Sequence, residues 1–353
     1  RAMTFTDMNI IYTHLQDEIS RRLFTARLSV SATGDAGYIT MLPAQYRNLN
    51  ADIENFRTEL LQEDRKRTVI FGAGFNGGSI AREIRMKSLV AFIDNLKGGQ
   101  VEHFTNLPIF SLKDYIRQYG TRDTKFVLSV SDRSVADTMY AQLAKEGVEP
   151  GAVLTIPAEY RNNTSQYFDL FAPCEHEAFV DCGCYDASTA FHFAGWCGRN
   201  GYERIWCFEP DRESYDRCAQ LCAGLKNCTV HPYGLSDRAG IASFQSGRKE
   251  ESRIVGTADG SCDDVIETMA LDEFLQGERV TFIKMDIEGA ELDALKGAAG
   301  IIKEQKPKLA ISIYHKAEDI IEIPRLILGF RPDYRLYIRH YSLLSNETVL
   351  YAC

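Results

Sequence analysis

The chain has 353 residues, 45% apolar and 25% charged, the proportions of a soluble globular protein with material for two cores. Its 49 acidic and 40 basic side chains give a net charge of −9, which argues against the broad basic field of a general nucleic-acid binder. No apolar stretch approaches the ~18 residues of a membrane span. No signal-peptide pattern opens the chain, which begins at Arg1 and leaves any preceding segment open.

Met8, Ile11, Leu15, Ile19, Leu23 and Ala26 recur at helical spacing and predict a helix over 7–28. Ile53, Phe56 and Leu60 predict another over 52–62. Together they make an N-terminal helical segment, 1–66, that packs on its own chain or on a partner subunit. From Thr68 the rhythm becomes strand, glycine turn, helix, strand, defining an α/β domain over 67–156. A connector, 157–174, rich in Asn, Tyr and Phe, leads to a second α/β domain over 175–353. Its strands are expected at 179–181, 204–209, 229–235, 280–286, 308–314, 336–339 and 348–351. Strands alternating with helices imply parallel sheets, so the expected fold class is α/β with two Rossmann-like units, the first preceded by helices.

All ten cysteines lie between Cys174 and Cys353, mostly inside predicted elements, where they read as small hydrophobes with no metal. That usage points to a reducing cytoplasm, where the glycosylation triplets at Asn162, Asn227 and Asn346 carry no meaning.

In the first domain Gly72, Gly74 and Gly77 follow a strand and open a helix, and Asp94 closes the next strand at the spacing of a ribose-binding carboxylate. Three readings stand: a nucleotide or nucleotide-sugar site, a structural or regulatory relic, and a redox-cofactor site. No Tyr has a Lys four residues later, so the proton relay of a dehydrogenase is missing.

The second domain opens with a differently charged turn, Asp181-Cys182-Gly183-Cys184-Tyr185-Asp186-Ala187-Ser188-Thr189. Gly183 permits close backbone approach, while Asp181 and Asp186 repel a pyrophosphate and attract a cation. S-adenosyl-L-methionine carries an ammonium, a sulfonium and no phosphate, and suits this turn on Coulomb grounds. Tyr185 and Thr189 belong to the same expected site. Glu209, ending the next strand, suits a ribose diol, and Ser236-Asp237 suits the adenine amino group. Asp186 and Asp211 also read as helix caps.

The sequence Ile283-Lys284-Met285-Asp286-Ile287-Glu288-Gly289-Ala290-Glu291, followed by Leu295-Lys296-Gly297-Ala298, resembles the FkbM-type methyltransferases. Gly183, Glu209-Pro210, Leu235-Ser236-Asp237, Leu271-Asp272, Ser312-Ile313-Tyr314-His315 and the tail from Tyr337-Ile338-Arg339-His340-Tyr341 to Glu347-Thr348 follow in the same order. The resemblance covers about 175–353 and implies a class I S-adenosylmethionine-dependent domain acting on hydroxyl groups, often of sugars. Ala187 departs from it, since members usually carry glycine there. The first domain is more loosely similar to domains attached to sugar-modifying enzymes.

Methyl transfer needs the acceptor oxygen held in line with the methyl carbon and relieved of its proton. Asp286 and His315 are the expected catalytic pair, with His315 as base because its ordinary pKa suits neutral pH. Glu288, Tyr337, Arg339 and His340 are expected to bind substrate, although Glu288 also suits a helix N-terminus. Asp286, Glu288 and His315 would also suit a divalent ion, but no ligand spacing demands one, and the expectation is base catalysis without metal. The partner is then a small, sugar-containing molecule rather than nucleic acid or membrane, with homo-oligomers allowed. The rival reading is a non-catalytic nucleotide-binding or regulatory protein with a degenerate methyltransferase domain. An NAD-linked oxidoreductase is the third.

Overall fold

The structure, a computed structural model, describes residues 5–103, 105–157, 166–245, 253–254 and 264–353. Residues 158–165 of the connector, with the Asn162 triplet, and Cys262 lie outside the described residues. The chain divides into two compact units. One comprises 1–28, 164–339 and 347–353, the other 29–163 and 340–346. The helical segment 1–66 is therefore shared between the units rather than forming a body of its own.

The single helix expected over 7–28 is two, Phe5–His14 and Glu18–Thr33. Tertiary pairing overrides the periodicity at the break: Leu15 bridges to Leu336, and Gln16 N–H donates to the Leu336 carbonyl. Asp17 then accepts from the backbone and hydroxyl of Ser20, starting the second helix.

In the smaller unit β1 (Arg67–Phe71), β2 (Leu89–Ile93), β3 (Ile109–Phe110), β4 (Thr124–Leu128) and β5 (Val153–Thr155) form a parallel sheet in the order β3-β2-β1-β4-β5. The short β3 and β5 have too few residues to show a period and escape sequence reading. Alternation places Ile70, Phe92 and Val127 in one core and Val69, Phe71, Ala91, Ile93, Phe126 and Leu128 in the other. Leu343 and Leu344, from the returning segment 340–346, complete the first of these cores.

The larger unit is built on β6 (Glu177–Cys182), β7 (Tyr202–Phe208), β8 (Cys228–His231), β13 (Phe282–Met285), β14 (Lys308–Ser312), β15 (Leu336–His340) and β16 (Thr348–Ala352), in the order β15-β16-β14-β13-β6-β7-β8. A second sheet of β9 (Gly234–Leu235), β10 (Gly240–Gln245), β11 (Arg253–Ile254) and β12 (Asp264–Met269) was not anticipated. The strand expected over 229–235 is thus split between two sheets, with Pro232 between the pieces, where a missing N–H ends a ladder. Beneath the main sheet Phe179 stacks on Phe193, ring centroids 4.3 Å apart, and Phe282 meets Phe179 edge-on.

β6, β7, β13 and β14 run parallel, so Gly183, Glu209, Asp286 and His315 all emerge beyond the same carboxyl edge. β16 runs antiparallel to β14, pairing Val349 with Ser312, which brings Glu347 to that edge as well. No helix among the described residues is long and apolar enough to cross a membrane.

Candidate active site

The turn after β6 is held from beneath by Lys284. This side chain rises from β13 in full burial and donates to Asp181 Oδ1 at 3.0 Å, to the Gly183 carbonyl at 2.7 Å and to the Cys182 carbonyl at 3.3 Å. Burial lifts the Asp181 carboxyl above its ordinary value, with Lys284 pulling against it. Burial also works against the Lys284 ammonium, but Asp181 and Asp286 outweigh that and keep it charged. The expected cofactor ligand Asp181 is therefore an interior strut, since its charge faces a lysine and no solvent.

Above the strut the turn bends tightly. Gly183 (φ 82°), Tyr185 (φ 44°) and Ala187 (φ 65°) all lie in the left-handed region. A Cβ on Gly183 would come within 2.1 Å of the Asp286 carbonyl, so the turn after β6 packs directly on the loop after β13. Ala187 caps the helix Ser188–Cys197 in a conformation that favours glycine, which accounts for the usual residue there. Strained backbone of this kind collects at ligand clamps.

Glu209 crosses to the same turn. One of its oxygens accepts from Tyr185 N–H and the other from Asp211 N–H, both at 3.0 Å, and burial pushes its carboxyl up to about 7. Asp211 caps its helix through Ser214 N–H, and Asp186, exposed, accepts from Ser188 N–H. Arg217 lies over the Tyr185 ring, 4.9 Å from its centroid. Thr189 is half-buried in the first turn of the helix. Ser236 is half-buried, its carbonyl closely packed against Gly297, and Asp237 is exposed beside it.

Next to this turn, His315 is encircled by carboxylates. Its Nδ1 lies 2.9 Å from Glu291, and its Nε2 lies 3.4 Å from both Asp286 and Glu288. Burial alone would lower the imidazole pKa, but Glu291, Asp286 and Glu288 outweigh it and push it up to about 10. His315 is therefore a cation at neutral pH, and the neutral base expected from its ordinary pKa is corrected. Asp286 accepts from the hydroxyls of Tyr167 (2.8 Å) and Tyr314 (3.2 Å). Burial raises its carboxyl, yet His315, Lys284 and the hydrogen bonds from Tyr167 and Ser312 together hold it below the ordinary value.

Glu288 behaves differently. It is the most exposed carboxylate around the imidazole, with 39% of its side chain open, and it sits at a left-handed φ of 54°. Burial leads the forces that push its carboxyl up to about 7, with Asp286, Glu291 and Glu347 adding to it and His315 opposing. Glu347 accepts from Gln166 at 2.7 Å and from Tyr314, and burial and Asp286 lift it too to about 7.

Three expected substrate ligands are placed elsewhere. Arg339 is buried and donates to Asp17 at 2.7 Å and to Ser20, so it ties β15 to the helix Glu18–Thr33. A contact spanning more than 300 residues of sequence leaves no local mark. Tyr337 is half-buried with its ring beneath Arg339, and His340 is fully buried. Lys284, Glu291, Tyr314 and Glu347 are the site residues that sequence reasoning quoted without assigning a role, and Gln166 and Tyr167 were missed. For Lys284 a signal existed, a lone cation inside an apolar strand. Gln166 and Tyr167, in the aromatic connector, offered none.

In the smaller unit, Asp94 accepts from the backbone N–H groups of Ala73, Leu96 and Lys97, and Lys97 donates back to the Ala73 carbonyl. A Cβ on Gly77 would come within 2.1 Å of the Gly72 carbonyl, whereas one on Gly74 would meet nothing. Ser129 donates to the Gly72 carbonyl at 2.9 Å.

The strained turn after β6 and the carboxylates after β13 thus meet at the carboxyl edge of the parallel sheet, where ligands of open α/β sheets bind. Residues 181–336 match the family model described as the methyltransferase FkbM domain. The chain is 24% identical over 196 residues to the 2-O-methyltransferase NoeI of Sinorhizobium fredii (strain NBRC 101917 / NGR234), a match covering 48% of this chain and 77% of that one. In fold it is similar to methyltransferase FkbM from Methylobacillus flagellatus KT, with a TM-score of 0.53 at 22% identity, over 94% of this chain and 98% of that one.

Proposed function

We propose that the larger unit transfers the methyl group of S-adenosylmethionine to a hydroxyl of a sugar, nucleotide sugar or glycosylated metabolite, with Glu288 as general base. The observation that carries this reading is the contact between Gly183 and Asp286, which sets a cofactor turn directly against a carboxylate cluster. The chemistry of the donors fits the cofactor. Glu209 keeps a lone pair on each oxygen for a ribose diol, and two such donors would relieve the burial that raises its pKa. Asp286, Glu288, Glu291 and Glu347 outnumber the single imidazolium among them, so the cluster favours a cation. When bound, S-adenosylmethionine supplies an electrophilic methyl on sulfur for in-line displacement.

Glu288 takes the acceptor's proton as the new bond forms. A carboxylate tuned to about 7 is matched to that task at neutral pH. Asp286, held ionised chiefly by His315 and Lys284 and then by Tyr167, fixes the imidazolium of His315, whose remaining role is to orient the acceptor and set the pKa of Glu288. A hydroxyl acceptor is supported by the similarity to a 2-O-methyltransferase of Sinorhizobium fredii. In this reading both units are Rossmann-like, the smaller one positions the substrate or mediates assembly, and the protein works in the cytoplasm on a small molecule.

The test is transfer of labelled methyl from S-adenosylmethionine to a panel of sugars, nucleotide sugars and glycosides, with kcat followed against pH. The expected profile rises through about pH 7 as Glu288 ionises and falls as His315 loses its proton near pH 10. Failure to methylate any hydroxyl acceptor would overturn the reading of the reaction. An acid limb that persists in Glu288→Gln would remove the base assignment.

A further inference from the structure

Five cysteines converge where the helix Arg212–Cys222 packs against the edge of the main sheet. Cys207 comes from β7, Cys228 from β8, and Cys218 and Cys222 from one face of the helix, four residues apart. Cys184, in the turn after β6, is in hydrogen-bonding contact with Cys207 and Cys218. The sulfurs of Cys207, Cys222 and Cys228 all lie within 4.8 Å of one another, and those of Cys207 and Cys228 are 3.9 Å apart. All are free thiols.

We propose that Cys207, Cys222 and Cys228 form a thiolate site for a zinc ion. Thiolates bound to zinc at about 2.3 Å in a tetrahedral arrangement stand about 3.8 Å apart, close to the Cys207–Cys228 separation already present. Packing alone asks only that small apolar groups fill the interface. It does not require sulfurs from two strands and a helix end to share one point. Water completes the fourth position, since the three sulfurs that share one point are those of Cys207, Cys222 and Cys228. β8 is the outermost strand and Cys228 is half-buried, which gives the ion a way in. On binding, each thiol gives its proton to solvent as its sulfur bonds to the metal, and no electron is transferred. Soft thiolates favour zinc over magnesium or calcium.

The test uses the full chain, stripped of metal under reducing conditions and titrated with cobalt(II) as a spectroscopic probe. The expected result is a thiolate-to-cobalt charge-transfer band in the near ultraviolet that saturates at one ion per chain and is discharged by one equivalent of zinc. The band should be lost in Cys222→Ser and Cys228→Ser, with far-ultraviolet circular dichroism unchanged, and retained in Cys218→Ser. X-ray absorption at the zinc edge of the wild-type protein needs no variant and should find at least three sulfur neighbours. No charge-transfer band, a band that survives both substitutions, fewer than three sulfurs, or thiols recovered as a disulfide would each overturn the proposal.

Discussion

Both units place a glycine turn directly after a parallel strand, and the two turns differ in what remains for a ligand. In the smaller unit the carboxylate that would grip a ribose, Asp94, is already bonded by three backbone N–H groups, Leu96 and Lys97 of its own loop and Ala73 of the glycine turn. In the larger unit a buried Lys284–Asp181 pair holds the turn, Tyr185 and Ala187 sit at left-handed φ, and Glu209 and Glu288 are both raised to about 7. One turn is satisfied internally. The other is strained, charged and perturbed, the condition in which binding a ligand gains most. A glycine fingerprint therefore reports backbone shape, and only the groups around it report chemistry.

The largest contrast should come from the two lysines that brace the turns. Lys284→Met leaves Asp181 buried without its partner and should cost about 3–5 kcal/mol, visible as a lower midpoint in denaturant. Lys97→Met removes one hydrogen bond at an exposed position and should cost no more than about 1 kcal/mol. Glu288→Gln should lower kcat by ~10²–10⁴ with S-adenosylhomocysteine affinity preserved, separating base from binder. Glu209→Ala should weaken that affinity by roughly 10–100-fold with the fold intact. At the small end, Ala187→Gly should stabilise by about 1 kcal/mol or less, because it relieves a left-handed alanine. Gly74→Ala should change stability by less than about 0.5 kcal/mol, since its φ of −97° suits any residue and the space beside it is open. A strong loss of methyl transfer in Gly74→Ala would mean that the first turn does hold a ligand.

What could be read in the sequence was whatever is local and periodic. The helix Ala51–Leu61, the strand Lys308–Ser312 and the two turns follow from spacing and glycine placement. The site was legible where a charged residue ends an apolar strand, as at Glu209, Asp286 and His315. Roles were less legible than positions, because His315 is redefined by Glu291 and Glu288 on another loop. Arg339 is claimed by Asp17 across most of the chain, and Tyr167 reaches Asp286 from a connector without periodicity. The small sheet of β9 to β12 was hidden because a two-residue strand has no period to detect.

The most direct measurement is calorimetric titration of S-adenosylhomocysteine into the wild-type chain, Glu209→Ala and Asp94→Ala. Binding by the wild type and Asp94→Ala that is lost or strongly weakened in Glu209→Ala is the predicted outcome, and it assigns the cofactor to the strained turn of the larger unit. Absence of binding in the wild type, or loss confined to Asp94→Ala, would contradict the assignment.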